Sequence, residues 1–431
     1  PHKIKKFNKS QLTKLRKLNY NDLALEIIAD FCKPDIERKK LKTLIKNSYK
    51  PFKKKNAVSL IDVGNFKLLE LYHGPTLAFK DIAMQAIGHM YEEFNKSKDE
   101  VTNIVVATSG DTGAAAISAL SNRKNINLFV LHPHNKISKI QRKIMTTIGG
   151  KNIYNLAVKG SFDDCQKIVK EMFADNLFRQ TINMSGVNSI NWARIIFQIV
   201  YYFYAAFAVG GPDRPVNFSV PTGNFGDIYA GYLAPRMGLP VNNLVIATNR
   251  NDVLHRMLTT GTYARQPIEA SLSPSMDISI SSNFERLLFD LYDGDAAQIN
   301  QLMTDFSRGE ISLSDAALTR AQKLFSSARV SDEETCDEIR MMWQQTGELL
   351  DPHTAIGTRA ARLSARSGDG PMVTLSTAHP AKFPAAVARA ETGQAPQLPQ
   401  HLSDLFDRTE RFDTLDNDLA TVHAYMAEQC H

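Results

Sequence analysis

Residues 71–81, LYHGPTLAFKD, place a lysine at the junction between a turn and a helix. A Gly-Pro pair gives the turn signal, and apolar residues then recur from Ile82 to Met90 at helical spacing. Lys80 therefore lies in the first turn of the predicted helix, where its amine is held at the junction. A Schiff-base lysine requires such a position, although a lone lysine here would more often be an ordinary first-turn residue.

Strands and helices alternate in the sequence that follows Lys80. Three buried strands, each followed by a helix, are predicted at residues 101–107, 127–132 and 152–158. Further strands are predicted at residues 216–220, 244–247 and 371–375. Residues 270–350 and the chain from residue 392 onward are predicted to be mostly helical. This alternation predicts an α/β fold built on parallel sheets that helices cover on both faces.

Composition limits the class of protein. The chain has 431 residues, of which 43% are hydrophobic and 22% charged, as expected for a globular protein with more than one domain. Its four cysteines show no CxxC spacing, so neither a disulfide framework nor a zinc site is predicted, and a reducing, cytoplasmic location is expected. The longest apolar run, residues 195–209, is shorter than the roughly 20 residues of a membrane span.

Residues 1–56 are strongly basic, with 15 Lys and 2 Arg against 5 acidic residues. A basic segment of this kind can bind nucleic acid, which is the alternative from a different class of function. Apolar residues recur at helical spacing in two runs and predict helices that pack. The first run is Leu12, Leu15 and Leu18, and the second is Leu23, Ile27 and Phe31. We therefore interpret the segment as solvated basic faces on packed helices and expect no nucleic-acid partner.

Two Gly-rich turns follow predicted strands and precede predicted helices. The first is TSGDTG at residues 108–113, and the second is TGNFGD at residues 222–227. Such a turn presents backbone N–H groups at the positive end of a helix, which suits phosphate and other anions. Each turn alone is a weak signal, because a plain Gly-containing turn explains it as well.

Two polar clusters complete the set of motifs. STAHPAK, residues 376–382, follows a predicted strand, and NSINWAR, residues 188–194, heads an apolar helix. His379 taken alone is more often a structural histidine than a catalytic one, and Lys382 more often a surface lysine. Arg194 is either the solvated end of its helix or a fork that binds a carboxylate or phosphate.

These motifs resemble those of the threonine synthases of the bacterial and fungal type, which are fold-type-II pyridoxal-phosphate enzymes. The likeness rests on HGPTLAFKD, ATSGDTGAA, NSIN with Arg194, VPTGNFGD, STAHPAKF, and SMDIS with Asn283 and Arg286. It implies two parallel-type αβα sheets in two domains with the cofactor between them. We accordingly expect a helical N-terminal portion at residues 1–60, a smaller α/β domain at 61–190 and a larger one at 191–431.

The resemblance also implies roles for residues of the cofactor site. Lys80 matches the lysine that forms the Schiff base with pyridoxal 5'-phosphate and then shuttles protons. Asp111 is expected near the phenolic oxygen of the cofactor, with Asn188 as a competing candidate. The hydroxyl of Thr377 is expected to face the ring nitrogen. The residues that match the phosphate cradle are Gly223, Asn224, Phe225 and Gly226.

The activity that the resemblance implies is the conversion of O-phospho-L-homoserine and water to L-threonine and phosphate. The substrate's carboxylate and phosphate are assigned, as a set, to Thr108, Ser109, Asn188, Arg194 and Lys382. A related lyase or β-replacement enzyme acting on O-phosphohomoserine or O-phosphothreonine is the alternative within the same fold. The expected partner is thus a small molecule, without nucleic acid, membrane or metal, and the protein is expected to be a monomer or a homodimer.

Overall fold

The structure, a computed structural model, describes residues 4–96, 100–364 and 370–430, which fold as two compact units. The first unit comprises Pro1–Lys42, Lys54–His73 and Ile195–Pro396. The second comprises Thr43–Lys53, Gly74–Arg194 and Gln397–His431. The units are discontinuous in sequence, whereas the division expected at residues 60 and 190 is continuous. That division stays a prediction.

The secondary structure consists of helices and strands in alternation. The strands are β1 Ser59–Val63, β2 Phe66–Glu70, β3 Thr102–Ala107, β4 Ile126–Pro133, β5 Ile153–Val158, β6 Met184–Gly186, β7 Val216–Pro221, β8 Val241–Thr248, β9 Thr262–Ala264, β10 Glu310–Ser312, β11 Phe325–Arg329, β12 Met372–Ser376 and β13 Asp413–Leu415. The α-helices are α1 Lys9–Leu15, α2 Tyr20–Ile28, α3 Arg38–Tyr49, α4 Lys80–Asn95, α5 Asp111–Leu120, α6 Lys139–Thr147, α7 Phe162–Ala174, α8 Asn176–Thr181, α9 Trp192–Ala208, α10 Gly226–Arg236, α11 Val253–Thr260, α12 Phe284–Leu291, α13 Ala296–Ser307, α14 Asp315–Gln322, α15 Asp332–Thr346, α16 Pro352–Ser364, α17 Pro384–Arg389 and α18 Leu419–Gln429.

The main sheet of the first unit has six strands in the order β1-β2-β12-β7-β8-β11. All neighbouring pairs run parallel except β1 and β2, which are antiparallel. Parallel strands end at the same edge of a sheet, and ligands collect at that edge. The turns that follow β12, β7 and β8 therefore lie along one edge, which brings the STAHPAK segment beside the TGNFGD turn.

The sheet of the second unit has five parallel strands in the order β13-β5-β4-β3-β6. β3 and β6 are neighbours, with Val105 opposite Gly186. The TSGDTG turn after β3 and the NSINWAR segment after β6 thus begin at the same edge of this sheet.

Side chains that alternate along β3 face two different cores of the second unit. Ile104 and Val106 pack with α4 and α5, whereas Val105 packs with residues of α7 and α18. Burial of one such side chain contributes about 1.5–3 kcal/mol. Helices cover both faces of the parallel sheet, which confirms the expected α/β fold class.

The predicted strands at residues 101–107, 127–132, 152–158, 216–220, 244–247 and 371–375 are confirmed as β3, β4, β5, β7, β8 and β12. The structure differs in the two stretches that were expected to be mostly helical. β10 and β11 lie in the first stretch, β11 with the sequence FSSAR, and the short, largely exposed β13 lies in the second. None of the three has an apolar run of its own, so pairing with β9, β8 and β5, respectively, makes them strands.

The basic N-terminal segment packs through α1 and α2. Leu12, Leu15, Leu23 and Ile27 are buried, as their spacing predicts. Its basic side chains form exposed ion pairs, each worth about 0–1 kcal/mol, which join Lys5 to Asp30, Lys42 to Asp22 and Arg16 to Asp213. These contacts favour the interpretation as solvated basic faces, and the absence of a nucleic-acid partner stays a prediction.

Within the described parts of the chain, the structure has no helix long and apolar enough to cross a bilayer. The most apolar stretch, in α9, is a helix of 17 residues.

Helices α4 and α5 approach closely at Gly88, where a Cβ would lie 2.4 Å from the carbonyl oxygen of Ala119. We expect Gly88→Ala to lower the free energy of unfolding by about 2 kcal/mol in chemical denaturation. The gain of about 1 kcal/mol from the better helix former is too small to offset a clash with backbone. In the control Gly149→Ala, the nearest atom lies 3.6 Å from the new Cβ, and stability should be nearly unchanged. Equal stability of Gly88→Ala and the parent would contradict this packing.

Candidate active site

A carboxylate holds the turn that precedes Lys80. The buried Asp81 accepts hydrogen bonds from the backbone N–H of Thr76 at 2.8 Å and from its hydroxyl at 2.7 Å. Leu77, inside the turn, has a φ of +61°, which costs a non-glycine residue about 1–3 kcal/mol. The bonds to Asp81 offset that cost and fix the start of α4, whose first residue is Lys80.

The Lys80 amine faces an acidic residue of the TSGDTG turn. Its Nζ lies 3.3 Å from Oδ2 of Asp111, and 13% of the lysine side chain is exposed. Oδ1 of Asp111 accepts a hydrogen bond of 3.1 Å from Nε2 of Gln141 in α6. The second unit therefore brings together Lys80 of α4 and Asp111 of α5. Gln141 of α6 holds the carboxylate in place.

The TSGDTG turn is shaped by the hydroxyl of Thr108. The Oγ1 atom accepts hydrogen bonds of 2.9 Å from the N–H groups of Gly110 and Gly113. Gly110 has a φ of +136°, a conformation that requires glycine, and α5 begins at the next residue. Thr108 thus has a structural task besides the expected contact with substrate. Ser109 lies beside it in the same turn, partly exposed.

The TGNFGD turn of the first unit has its carbonyl groups occupied. Ser281 Oγ donates to the Gly223 carbonyl at 2.8 Å, and the N–H of Asn283 donates to the Asn224 carbonyl at 3.1 Å. Phe225 caps α10 with a φ of +62° and buries its ring against Phe284. In the described chain, the N–H groups of residues 223–226 have no acceptor. The turn therefore presents four unpaired donors at a helix N-terminus.

This turn fits a phosphate group. A Cβ at Gly223 would lie 2.9 Å from the carbonyl oxygen of Ser275, so only glycine lets the backbone approach so closely. Unpaired N–H groups at the positive end of a helix are the donors that phosphate requires. The contact at Gly223 fixes the position of the turn, and the N–H groups without an acceptor in the described chain are the feature that points to an anion.

Thr377 follows β12 at the same sheet edge and is 5% exposed. Its backbone N–H donates to Thr354 Oγ1 at 3.3 Å, and Thr354 in turn bonds to Asp351. The described residues make no hydrogen bond to the Thr377 hydroxyl. The backbone is thus fixed while the side-chain hydroxyl remains available to a ligand.

The residues of the STAHPAK segment beyond Thr377 are also buried. His379 accepts a hydrogen bond of 3.1 Å from the N–H of Ala381 and packs its ring against Tyr72, which agrees with a structural histidine. Lys382 is fully buried. It is therefore not the surface lysine that its residue type predicts.

Arg194 is a buried cation in the second unit, 5% exposed. Its hydrogen bond is a long one, 3.5 Å from Nη1 to the carbonyl of Val187, and the described residues offer it no carboxylate. Removal from water lowers the pKa of Arg194 to about 10. Asn188, in contrast, is exposed. The solvated helix end is therefore the wrong interpretation of Arg194, and its role as a fork for an anion stays a prediction.

Several residues that support the site were not assigned a role from sequence. Gln141 holds Asp111, Ser281 and Asn283 hold the TGNFGD turn, and Thr354 holds the backbone at Thr377. The Ser138 cap three residues before Gln141 signals the start of α6 but not this contact. Each of these contacts joins residues far apart in sequence, so no local pattern could reveal it.

Comparison with known families identifies the class of protein. The chain matches the family of pyridoxal-phosphate dependent enzymes over residues 63–378, and its fold is that of the fold-type-II members. Two further families match, the threonine synthase N terminus over residues 1–49 and the threonine synthase C-terminal family over residues 354–426.

Whole-chain relatives identify the family within this class. A threonine synthase of Pseudomonas aeruginosa is 50% identical over 99% of this chain and 92% of its own length. That of Saccharomyces cerevisiae is 43% identical over 88% of this chain and 80% of its own. A pyridoxal-phosphate-bound threonine synthase structure from Brucella melitensis matches with a TM-score of 0.96 and 45% identity, covering 100% of this chain and 93% of its own. The chain belongs to the threonine synthase family.

Asp227, in the first turn of α10, gives a test of the environment beside the TGNFGD turn, which is the expected phosphate turn. Its Oδ1 accepts hydrogen bonds from Tyr201 at 2.5 Å and Tyr202 at 2.9 Å, while Oδ2 is buried without a partner in the described chain. Burial is the largest influence and raises the pKa of Asp227 from 3.8 to about 6. The folded form then holds the proton more tightly than the unfolded form.

We therefore expect the contribution of Asp227 to the free energy of unfolding to fall by about 3 kcal/mol as the pH rises from about 4 to about 6. Asp227→Asn keeps the oxygen that accepts both tyrosines and should remove that component from the pH profile of the unfolding free energy, measured without cofactor. The exposed Asp315→Asn should leave the profile parallel to the parent. A parallel profile for Asp227→Asn would contradict the prediction.

Proposed function

We propose that this chain is a threonine synthase, a carbon-oxygen lyase that converts O-phospho-L-homoserine and water to L-threonine and phosphate. The observation that carries the proposal is the Lys80 amine, fixed at the start of α4 and 3.3 Å from Asp111. We further assign it to the cytoplasm, as a monomer or a homodimer that works without nucleic acid.

The residues of the chain divide the binding of pyridoxal phosphate among them. The N–H groups of residues 223–226, which have no acceptor in the described chain, are assigned to its phosphate. Lys80 is assigned its covalent attachment, and the Thr377 hydroxyl is assigned the contact with its ring nitrogen. Asp111 is assigned to the side of the phenolic oxygen. When bound, the cofactor draws electrons from the substrate and so makes its α and β protons easier to remove.

Lys80 is assigned the proton transfers. An amine can take the α proton and then one β proton, after which the γ C–O bond breaks and phosphate leaves. It can then return one proton to the γ carbon and, after water has added its hydroxyl at the β carbon, one to the α carbon, while the second proton of the water leaves with the phosphate. Asp111 holds Nζ within hydrogen-bond reach, and Gln141 keeps Asp111 from turning away. The geometry thus supports one base that stays at one place through several transfers.

Arg194 supplies the strongest substrate contact in this proposal. A guanidinium binds a carboxylate or phosphate through two parallel hydrogen bonds. A buried guanidinium that has no carboxylate partner in the described chain is well suited to this, because its donors remain available to the substrate. A neutral hydroxyl at Ser109 and the buried Lys382 are assigned to the same set, together with Thr108 and Asn188. The set serves the substrate's carboxylate and its leaving phosphate.

The first test is an absorbance titration of the protein with O-phospho-L-homoserine, with threonine and phosphate measured in the same tube. We expect an absorbance change on addition of substrate and equal amounts of both products. Lys80→Ala should lose turnover by at least about 10⁴-fold, because both attachment and proton transfer depend on the amine. Lys139→Ala, at the start of α6, is the matched control and should retain activity.

The products decide between the proposal and its alternative. A 2-oxoacid and ammonia in place of threonine would mean the related phospho-lyase. Full turnover in Lys80→Ala would remove the basis of both.

Arg194→Met tests whether the arginine serves substrate or fold. A buried guanidinium that has no carboxylate among the described residues and whose pKa is lowered to about 10 costs the folded state about 3 kcal/mol, a cost that methionine would not carry. We expect Arg194→Met to raise the free energy of unfolding while it raises KM about tenfold to a hundredfold.

A structural arginine would behave in the opposite way, with lower stability and an unchanged KM in the folded fraction. Arg308→Met, at an exposed arginine of the first unit, serves as the control and should change neither quantity appreciably.

A further inference from the structure

A cavity of about 470 Å³ lies at the carboxyl ends of β8 and β11 in the first unit. Three arginines line it: Arg250 and Arg256 follow β8, and Arg329 ends β11. Pro267 and Ile278 add an apolar wall. The volume lies within the range of small-molecule sites.

The three arginines of this cavity contact three carboxylates, those of Asp252, Glu269 and Asp332, but several of their guanidinium donors have no acceptor in the described chain. Two arginines share the carboxylate of Asp252. Its Oδ1 lies 2.7 Å from Nε of Arg256, and its Oδ2 lies 3.7 Å from Nε of Arg329. In the described chain, the terminal nitrogens of Arg256 and Arg329 have no hydrogen-bond acceptor. Arg250 contacts Asp332 at 3.1 Å and Glu269 at 3.7 Å, and its Nε is buried and unpaired among the described residues. Free guanidinium donors thus converge on the cavity.

We propose that this cavity binds a small organic dicarboxylate as an effector. Two or three guanidinium groups suit two carboxylates, since each binds a carboxylate through paired hydrogen bonds. The apolar wall suits the carbon skeleton between the two carboxylates, which a bare inorganic anion lacks. A position at the carboxyl ends of parallel strands is where open α/β sheets bind ligands.

One segment joins this cavity to the phosphate turn within the first unit. Residues 266–278 form a wall of the cavity, and Asp277 ties them to the end of β8 by accepting from Asn249 at 2.8 Å and Asn251 at 2.9 Å. Ser275 belongs to the same segment, and Gly223 packs against its carbonyl oxygen. Three residues beyond the segment, Ser281 donates a hydrogen bond to the Gly223 carbonyl.

An occupied cavity would order this segment and therefore the phosphate turn. Coupling of two sites through one shared element is reciprocal, so cofactor and dicarboxylate should each strengthen the binding of the other. The direction of the effect is thus tighter binding of pyridoxal phosphate.

The test is calorimetric titration of the holoenzyme with malonate at low ionic strength. We expect one malonate per chain at this cavity, and an affinity about tenfold or more lower in Arg329→Gln and in Arg256→Gln, because each loses a charged hydrogen bond. Arg329 is more than half exposed with a single long contact, so its variant should fold normally. Arg308→Gln should bind malonate as the parent does.

Three outcomes would overturn the proposal. Unchanged malonate affinity in Arg329→Gln, with binding lost in Arg194→Met, would place the anion at the substrate's arginine. Binding of inorganic phosphate but not malonate at the arginines of the cavity would refute the dicarboxylate class. Cofactor dissociation that saturating malonate does not slow, where about fivefold slowing is expected, would refute the coupling.

Discussion

A buried polar group without a partner costs free energy, and this constraint governs where the chain can bind its ligands. The structure meets it nearly everywhere through sheets, caps and side-chain bonds. Within the part of the chain that it describes, it leaves the N–H groups of residues 223–226 and the Thr377 hydroxyl without a hydrogen-bond partner. The guanidinium of Arg194 has one long hydrogen bond and no carboxylate there. Each of these follows a parallel strand. In the proposed function, the cofactor satisfies the groups of the first unit and the substrate satisfies Arg194 of the second.

The parallel sheets supply the positions of these groups. Because neighbouring parallel strands end at one edge, β12 and β7 bring Thr377 and the phosphate turn together in the first unit. In the second unit, β3 and β6 do the same for the TSGDTG turn and the NSINWAR segment, which contain Asp111 and Arg194. Neighbouring side chains then orient these groups. Ser281 and Asn283 donate hydrogen bonds to the carbonyl groups of the phosphate turn, while its N–H groups have no acceptor in the described chain. Gln141 holds Asp111 with its other carboxylate oxygen toward Lys80.

Sequence motifs and structure agree best where one residue type is physically required. The glycine at position 110 needs its positive φ, and Gly223 needs the room that a Cβ would take. Both appear in motifs that point to anion binding. Thr108 shows the limit of motif reading, since its hydroxyl oxygen accepts two backbone hydrogen bonds inside its own turn. A motif indicates that a residue is needed, and only its contacts show for what.

The sequence by itself determined the α/β class, the strands with apolar runs, the lysine at the start of α4 and the two Gly-rich turns, because local periodicity and turn chemistry encode these features. Tertiary structure alone decided that polar β11 and exposed β13 are strands, since pairing with β8 and β5 overrides weak local preference. It also decided that Arg194 is buried without a carboxylate and that arginines from two strands line one cavity. Burial and convergence depend on contacts between distant segments, which no window of sequence contains.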